Sequence, residues 1–267
     1  MRVLGANNAK AEAEWQELPS PKVEKGEIRI QVEAAGLNRA DLLQIKGLYP
    51  GKVDNPILGL ECSGIIDQIG EGIDEAWLGR KVCALLRGGG IADYVVCSPS
   101  VVVSAPSGIE LSLAAGLCET WCTALFNLWD QAKLVPKERV LIHAGASGVG
   151  VAAIQLARLL GATPFITCGS EKKLQYCLDR GAEVGVVRTQ DWAAYFHGLG
   201  LQFDVILDPV GAGYLNKDLS VAANAARIAV NGLLGGIQTE CNLVEYLSKN
   251  LTLCGRTLRT QPDSDKR

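Results

Sequence analysis

The apolar run Val140-Leu141-Ile142 leads through His143 and Ala144 into Gly145-Ala146-Ser147-Gly148-Val149-Gly150, and that junction restricts the chain's fold more than any other stretch. Beyond it, Val149, Ala152, Ala153, Leu156, Ala157 and Leu160 fall on one helical face, so the segment reads as buried strand, tight turn and amphipathic helix. Such a turn presents free backbone N–H groups and the positive end of a helix dipole to a pyrophosphate. The spacing departs from G-x-G-x-x-G, with Ser147 where a glycine is usual and the extra glycine at Gly148. A glycine-rich turn by itself serves strand-to-helix packing as often as cofactor binding. The strand before it and the helix after it favour a dinucleotide, with Ala146, Ser147, Gly148 and Val149 as the positions whose amides would meet it.

The pattern on either side divides the 267 residues in two. Early segments are short and alternating: Ile28, Ile30 and Val32 would share one face of a strand, followed by strands at Val82 to Leu86, Tyr94 to Val96 and Val101 to Val103, with turns at Gly70-Glu71-Gly72, Gly88-Gly89-Gly90 and Ser98-Pro99-Ser100. After Pro106 the rhythm becomes strand, turn, helix: a helix over Leu111 to Asp130, then buried strands at Val140 to Ile142, Pro164 to Thr167, Val205 to Leu207, Ile228 to Val230 and Leu251 to Cys254. Alternating strands and helices imply a parallel sheet covered on both faces. The expected class is α/β, with a mostly β domain over residues 1–115, a Rossmann-type doubly wound domain over 116–260 and a polar tail over 261–267.

Composition excludes several classes. Hydrophobic residues make up 48% and charged residues 21% of the chain, and the net charge is −3 with no long Lys/Arg run. Disorder is ruled out by that apolar content, and the charge leaves no basic footprint for nucleic acid. The longest uncharged stretch, Val140 to Ala157, is broken by glycines and reads as soluble core rather than a lipid-spanning helix. Nine cysteines without a leader-like start point to free thiols and a cytoplasmic setting.

The strand after the glycine turn bears on which dinucleotide is held. NAD-specific folds usually end it in a carboxylate that accepts from the adenine ribose. Here it ends in Cys168-Gly169-Ser170, followed by Lys172 and Lys173, with Arg188 at the end of the next strand. Gly169, Ser170, Lys173 and Arg188 suit a 2′-phosphate, and so favour NADPH. The alternative reading makes Ser170 a helix N-cap and the lysines a solvated face, and Glu171 weakens the cationic case. His143 reads as a neutral packing residue, and Cys118 and Cys122 as small hydrophobes.

Leu37-Asn38-Arg39-Ala40-Asp41-Leu42, Gly47-Leu48-Tyr49, Gly59-Leu60-Glu61-Cys62-Ser63-Gly64, Glu119-Thr120-Trp121-Cys122-Thr123-Ala124, the Ala144 to Gly150 turn and Gly169-Ser170-Glu171-Lys172-Lys173-Leu174 occur in this order. The set resembles the NADPH-dependent quinone oxidoreductase branch of the medium-chain dehydrogenase/reductase superfamily over nearly the whole chain. The resemblance implies a GroES-like β domain, a Rossmann domain and a nicotinamide cleft. It implies Asn38 near the nicotinamide, Tyr49 at the substrate mouth, Thr123 beside the cofactor, and Gly232, Leu233 and Leu234 in a segment flanking the nicotinamide. Asn38 and Tyr49 are the expected catalytic residues, donating to charge that develops on the acceptor oxygen. Without that context Asn38 could cap a short helix, Tyr49 could be a loop aromatic, and Thr123 could bond its own backbone.

The superfamily's zinc enzymes carry a catalytic histidine before the glutamate, where this chain has Leu60 before Glu61, and no four closely spaced cysteines supply a structural site. The expectation is a zinc-free hydride transfer to a quinone or another electron-poor α,β-unsaturated carbonyl. The resemblance further implies pairing of two copies through the strand near Leu251. It also implies a helix and strands beyond Thr257 that this sequence, ending Gln261-Pro262-Asp263-Ser264-Asp265-Lys266-Arg267, does not continue into. An enoyl-thioester reductase and a non-catalytic NADPH-binding form stay open beside the quinone reading.

Overall fold

A computed structural model describes residues 1–49 and 55–261; Pro50 and most of the expected polar tail lie outside the described residues. The chain forms two compact units, one built from Met1–Glu119 together with the described residues from Arg259 on, the other from Thr120–Leu258.

In the first unit, strands β1 (Arg2–Asn7) and β2 (Glu12–Glu17) form an antiparallel hairpin. A five-stranded antiparallel sheet follows, from β3 (Ile28–Ala35), β4 (Glu61–Ile69), β5 (Lys81–Leu85), β6 (Tyr94–Cys97) and β7 (Val102–Ser104), in the order β6-β3-β4-β5-β7. Alternation on β3 turns Ile28 and Ile30 inward against Cys62, Ile66, Val82, Ala84, Val95 and Val102. Between β3 and β4 lies one short helix, α1 (Arg39–Ile45). Asn38 precedes it, and the Asp41 carboxylate accepts from the Asn38 amide at 2.8 Å and the Gly59 amide at 2.9 Å.

The expected single helix over Leu111 to Asp130 is divided. It becomes α2 (Leu111–Ala114), α3 (Cys118–Leu125) and a wider π-type turn over Phe126–Gln131. The two ends answer to different cores. The Leu111 carbonyl accepts from Ser63 Oγ at 2.6 Å and the Ala114 carbonyl from Cys83 Sγ at 3.4 Å, both in the first unit. Ala124 and Leu128 are buried in the second. This also moves the division of the chain from the expected 115/116 to Glu119/Thr120. The 111–131 stretch has mean hydropathy 1.2 and by length and composition is apolar enough to cross a membrane, although Ala124, Phe126 and Leu128 sit in the protein core.

The second unit is a six-stranded parallel sheet of β8 (Arg139–Ile142), β9 (Thr163–Cys168), β10 (Val184–Val187), β11 (Phe203–Asp208), β12 (Ala222–Val230) and β13 (Thr252–Cys254). Its order is β10-β9-β8-β11-β12-β13, so the winding reverses between β8 and β11. Because successive strand residues face opposite sides, Val140, Ile142, Ile166, Val205 and Leu207 pack on one face against α4 (Gly148–Leu159). Leu141, Phe165 and Ile206 pack on the other, against Trp192 and Phe196 of α6 (Trp192–Gly198) and Leu219 of α7 (Leu215–Val221). The remaining helices are α5 (Glu171–Leu178) and α8 (Leu243–Ser248).

Candidate cofactor site

In a sheet wound this way, ligands bind outside the carboxyl ends of the strands where the order reverses. The glycine turn sits there. Ala144 adopts φ 51°, the Gly145 amide donates to the Thr167 carbonyl at 2.9 Å, and Ser147 caps α4 by accepting from the Gly150 amide at 3.1 Å. The first turn of a helix leaves its leading amides without carbonyl partners, and here those belong to Gly148 and Val149. Ala146 and Val149 are half-buried and pack their side chains onto the core. The close approach requires glycine. A Cβ on Gly145 would stand 2.8 Å from Ile166 Cβ, and one on Gly150 2.5 Å from the Ala144 carbonyl oxygen. Backbone amides, a helix dipole and packing that excludes side chains therefore fit a pyrophosphate.

The end of β9 gathers a second group. Ser170 Oγ accepts from the Lys173 amide at 3.4 Å, so Ser170 is indeed the N-cap of α5. The Arg188 amide donates to the Cys168 carbonyl at 2.8 Å, which places Arg188 beside that strand end. Lys173 and Arg188 are exposed, Gly169 lies between them and the strand, and Glu171 is exposed beside them. Thr123 is half-buried on α3, and its carbonyl accepts from Asn127 Nδ2 at 2.8 Å. Gly232, Leu233 and Leu234 follow β12 in a loop tied to the one after β11: the Leu234 amide donates to the Pro209 carbonyl at 3.1 Å and the Gly235 amide to the Val210 carbonyl at 2.7 Å.

Beneath these loops lies a buried polar group that the sequence did not single out. His143, at the end of β8, places Nδ1 2.8 Å from Thr167 Oγ1 and Nε2 2.8 Å from Asp218 Oδ1. Asp208, at the end of β11, accepts from the amides of Val210 at 2.6 Å and Gly211 at 3.0 Å. Burial lowers His143 to about 4 despite the nearby Asp208. Burial, then the neighbouring Asp218, raises Asp208 to about 6, and burial holds Asp218 well above the ordinary carboxylate range. Asp208 carried a faint signal, an acid closing an apolar strand before Pro209. Asp218 carried none, because an acid on an amphipathic helix reads as solvent-facing. His143 is a fully satisfied packing residue.

In the first unit, Asn38 and Tyr49 flank α1. Asn38 Nδ2 donates to Glu61 Oε1 at 2.8 Å, and the Glu119 amide donates to Glu61 Oε2 at 2.9 Å. Burial raises the Glu61 carboxyl, while these donors pull it down. The Arg259 guanidinium stacks over the Tyr49 ring at 4.7 Å and donates to the Arg87 carbonyl at 2.8 Å and Gln44 Oε1 at 2.9 Å. Burial raises the Tyr49 hydroxyl, against the pull of Arg259, so it remains protonated at neutral pH.

The family described as alcohol dehydrogenase GroES-like domain matches residues 24–107, and the family described as zinc-binding dehydrogenase matches residues 148–266. A solved NAD-dependent alcohol dehydrogenase is 30% identical with a TM-score of 0.88, covering 96% of this chain and 84% of that one. The CurK enoyl reductase is 29% identical at a TM-score of 0.86 over 99% and 85%. The Escherichia coli quinone oxidoreductase, solved with NADPH, is 25% identical at a TM-score of 0.87 over 99% and 84%. A GroES-like unit and a Rossmann-type parallel sheet in one chain are the architecture of a superfamily of nicotinamide-dependent oxidoreductases. The chain belongs to the medium-chain dehydrogenase/reductase superfamily. It spans about half or less of the length of the curated relatives it matches, 10% and 48% for two of them.

Zinc, which one of those family names carries, does not fit these residues. Leu60 is a buried apolar side chain, and both Glu61 oxygens are occupied by N–H donors. Among the described residues no three His, Cys, Asp or Glu side chains are grouped to hold a metal ion.

Replacing Gly150 with Ala forces a Cβ into backbone and should cost about 1–3 kcal/mol or more while abolishing nucleotide binding. Gly169→Ala, whose Cβ meets only Lys173 Cδ at 3.9 Å, should leave stability unchanged; urea unfolding and nucleotide fluorescence titration check both. The buried acids set a pH dependence. Between about pH 4 and 6 the folded Asp208 keeps a proton that the unfolded chain has lost, which lowers stability as pH rises; His143, neutral when folded, opposes this over nearly the same window. Above it Asp218 alone of these three contributes, so its share should make stability fall with rising pH by up to about 1.4 kcal/mol per pH unit. Asp218→Asn should flatten that slope in denaturation measured across pH.

Proposed function

We propose that this chain is an NADPH-dependent, zinc-free reductase of quinones or other electron-poor α,β-unsaturated carbonyls. The observation that carries the reading is the end of β9: Ser170 caps α5 there with Lys173 in its first turn, and the Arg188 backbone is bonded to Cys168, where an NAD-specific fold places a carboxylate. Guanidinium and ammonium groups around a hydroxyl suit a 2′-phosphate. The likeness to a quinone oxidoreductase solved with NADPH supports the same assignment.

In this reading the amides of Ala146, Gly148 and Val149 bind the pyrophosphate, with Ser147 holding the turn. Gly169, Ser170, Lys173 and Arg188 take the adenosine phosphate. Thr123 and the Gly232-Leu233-Leu234 segment lie along the nucleotide. Bound NADPH supplies a hydride, so no side chain has to act as nucleophile. Tyr49, kept protonated by burial, donates to the acceptor oxygen as charge develops there, and water completes protonation. Asn38 has committed one N–H to Glu61, which orients its carboxamide and leaves the other N–H to donate.

Steady-state NADPH oxidation with a quinone, an enal and an enoyl thioester tests the reading. A quinone or enal should be reduced faster than the thioester. The reverse order favours the enoyl-reductase alternative, which the likeness to CurK supports, and nucleotide binding with no acceptor reduced favours the non-catalytic one. Lys173→Ala with Arg188→Ala should raise KM for NADPH at least about tenfold and leave NADH unaffected. Tyr49→Phe should slow quinone turnover without changing NADPH affinity, and unchanged turnover removes Tyr49 from the mechanism.

Pairing of two copies through β13 belongs to the same proposal. That strand pairs only with β12 among the described residues and leaves one edge open. Beside it Ile237, Leu243, Leu247 and Leu253 expose apolar side chains, a face suited to a second copy. Light scattering should give a dimer, and Leu253→Lys should give a monomer; a wild-type monomer overturns the pairing.

A further inference from the structure

Four side chains from different elements meet under the point where the sheet's winding reverses: Thr167 at the end of β9, His143 after β8, Asp208 at the end of β11 and Asp218 on α7. All four are buried, His143 and Asp218 completely. Trp192 of α6 and Tyr214 close the space, with ring centroids 4.7 and 4.8 Å from the His143 ring. Hydrogen-bonding polarity favours one arrangement. Asp218 Oδ2 has no N–H or O–H donor near it, and its polar neighbour is the Asp208 carboxylate. Two ionised carboxylates facing each other in a closed apolar space repel, and each buried acceptor without a donor is costly. The Asp208 oxygens already accept from the Val210 and Gly211 amides, so Asp208 is the anion. Asp218 satisfies its second oxygen by carrying a proton on it and donating to Asp208, whose own oxygens are engaged by the amides. His143 then donates from Nε2 to Asp218 Oδ1 and accepts at Nδ1 from the Thr167 hydroxyl.

Donation therefore runs from Thr167 through His143 and Asp218 to Asp208, which also accepts from the two amides of the loop after β11. That loop is laced to the one after β12, because the Asn231 amide donates to the Asp208 carbonyl at 2.9 Å and the Ala212 amide to the Gly236 carbonyl at 3.3 Å. We propose that Asp218 is a positioning residue that works as a neutral carboxylic acid: its O–H fixes Asp208, Asp208 fixes the two loops bordering the nucleotide crevice, and nucleotide affinity falls when Asp218 ionises. The link to affinity rests on the reading that the nucleotide lies in this crevice.

The groups around Asp218 act consistently with this. His143, Asp208 and Thr167 face it from β8, β11 and β9. The other charged side chain of α7 is Lys217, over the Trp192 ring at 5.8 Å and paired with Asp191 at 2.9 Å, and the charge of Arg188, after β10, acts on Tyr214. Among the described residues no cation pairs with Asp218. Burial displaces its carboxyl in the same direction.

Three measurements on the full chain test the proposal. In infrared spectra at neutral pH, wild type should show the carbonyl band of a buried protonated carboxylic acid, and Asp218→Asn should lack it. In the nucleotide-free chain, amide hydrogen exchange at Val210, Gly211 and Asn231, corrected for intrinsic rate, should lose protection as pH rises in wild type and keep it in Asp218→Asn, whose carboxamide preserves the same donor and acceptor. NADPH affinity should weaken with rising pH in wild type, weaken about tenfold or more at every pH in Asp218→Leu, and recover with a flat pH profile in Asp218→Asn. Absence of the acid band, or an Asp218→Asn profile parallel to wild type, overturns the proposal. If Asp218→Leu does not fold, the wild-type and Asp218→Asn comparison decides. If folded wild type binds no NADPH, the proposed function fails, and the infrared and exchange results still judge the role of Asp218.

Discussion

The proposed cofactor end of the second unit depends on the turn between β8 and α4, where the packing leaves no room for a side chain. Gly145 lies against Ile166 of β9 and Gly150 against the carbonyl oxygens of Ala144 and Gly145, with no room for a methyl group at either place. Dense packing of that kind fixes where α4 begins, and so where its unpaired amides point. The flanking features are set from the same point. The Gly145 amide binds the carbonyl of Thr167, whose hydroxyl meets His143, and the carbonyl of the next residue, Cys168, receives the Arg188 amide. The ends of β8, β9 and β10 are thereby linked by hydrogen bonds rather than by side-chain packing alone.

The polar groups under the turn behave differently from the ion pairs at the surface. Lys25 with Glu71 and Lys10 with Glu14 are largely exposed, and solvent screens them. The Thr167 to Asp208 chain is buried, so each missing donor would carry its full desolvation cost. A closed network of this kind specifies one arrangement of loops. It joins the two strands flanking the reversal, β8 and β11, which is the place where a doubly wound sheet binds its ligand. In the first unit Glu61 has a comparable part, a buried carboxylate held by Asn38 and the Glu119 amide, which makes Asn38 both a helix-flanking residue and an oriented one.

Much of the fold was legible in the sequence where burial follows a simple period. The parallel strands read as short apolar runs because both faces are covered, and β3 alternates because one face is. The β1–β2 hairpin was not anticipated, since β2, Glu-Ala-Glu-Trp-Gln-Glu, is almost wholly exposed and alternates only Ala13 and Trp15 with polar residues. Strand β4 was missed for the opposite reason: a central strand with Gly64 in it and its first four residues buried shows no period of two. The 111–131 stretch kept a helical composition through a break that tertiary packing imposed. At the site, the positions with a local chemical signature, Ser147, Gly148, Ser170, Lys173 and Arg188, could be named in advance. Arg259 over Tyr49 and Asp218 beside His143 could not, since each partner is remote in sequence.

By itself the sequence determined the α/β class, the glycine turn between strand and helix, and the small residues Gly169 and Ser170 in place of a carboxylate directly after Cys168, because each depends on residues within one or two turns of one another. Tertiary structure alone decided that Asp218 faces Asp208, that Arg259 returns to the first unit, and that Leu111 and Leu128 serve different cores. These depend on contacts between segments far apart in the chain, and only the packed sheet brings such segments close enough for a charge to lose its water or a hydrogen bond to find its partner.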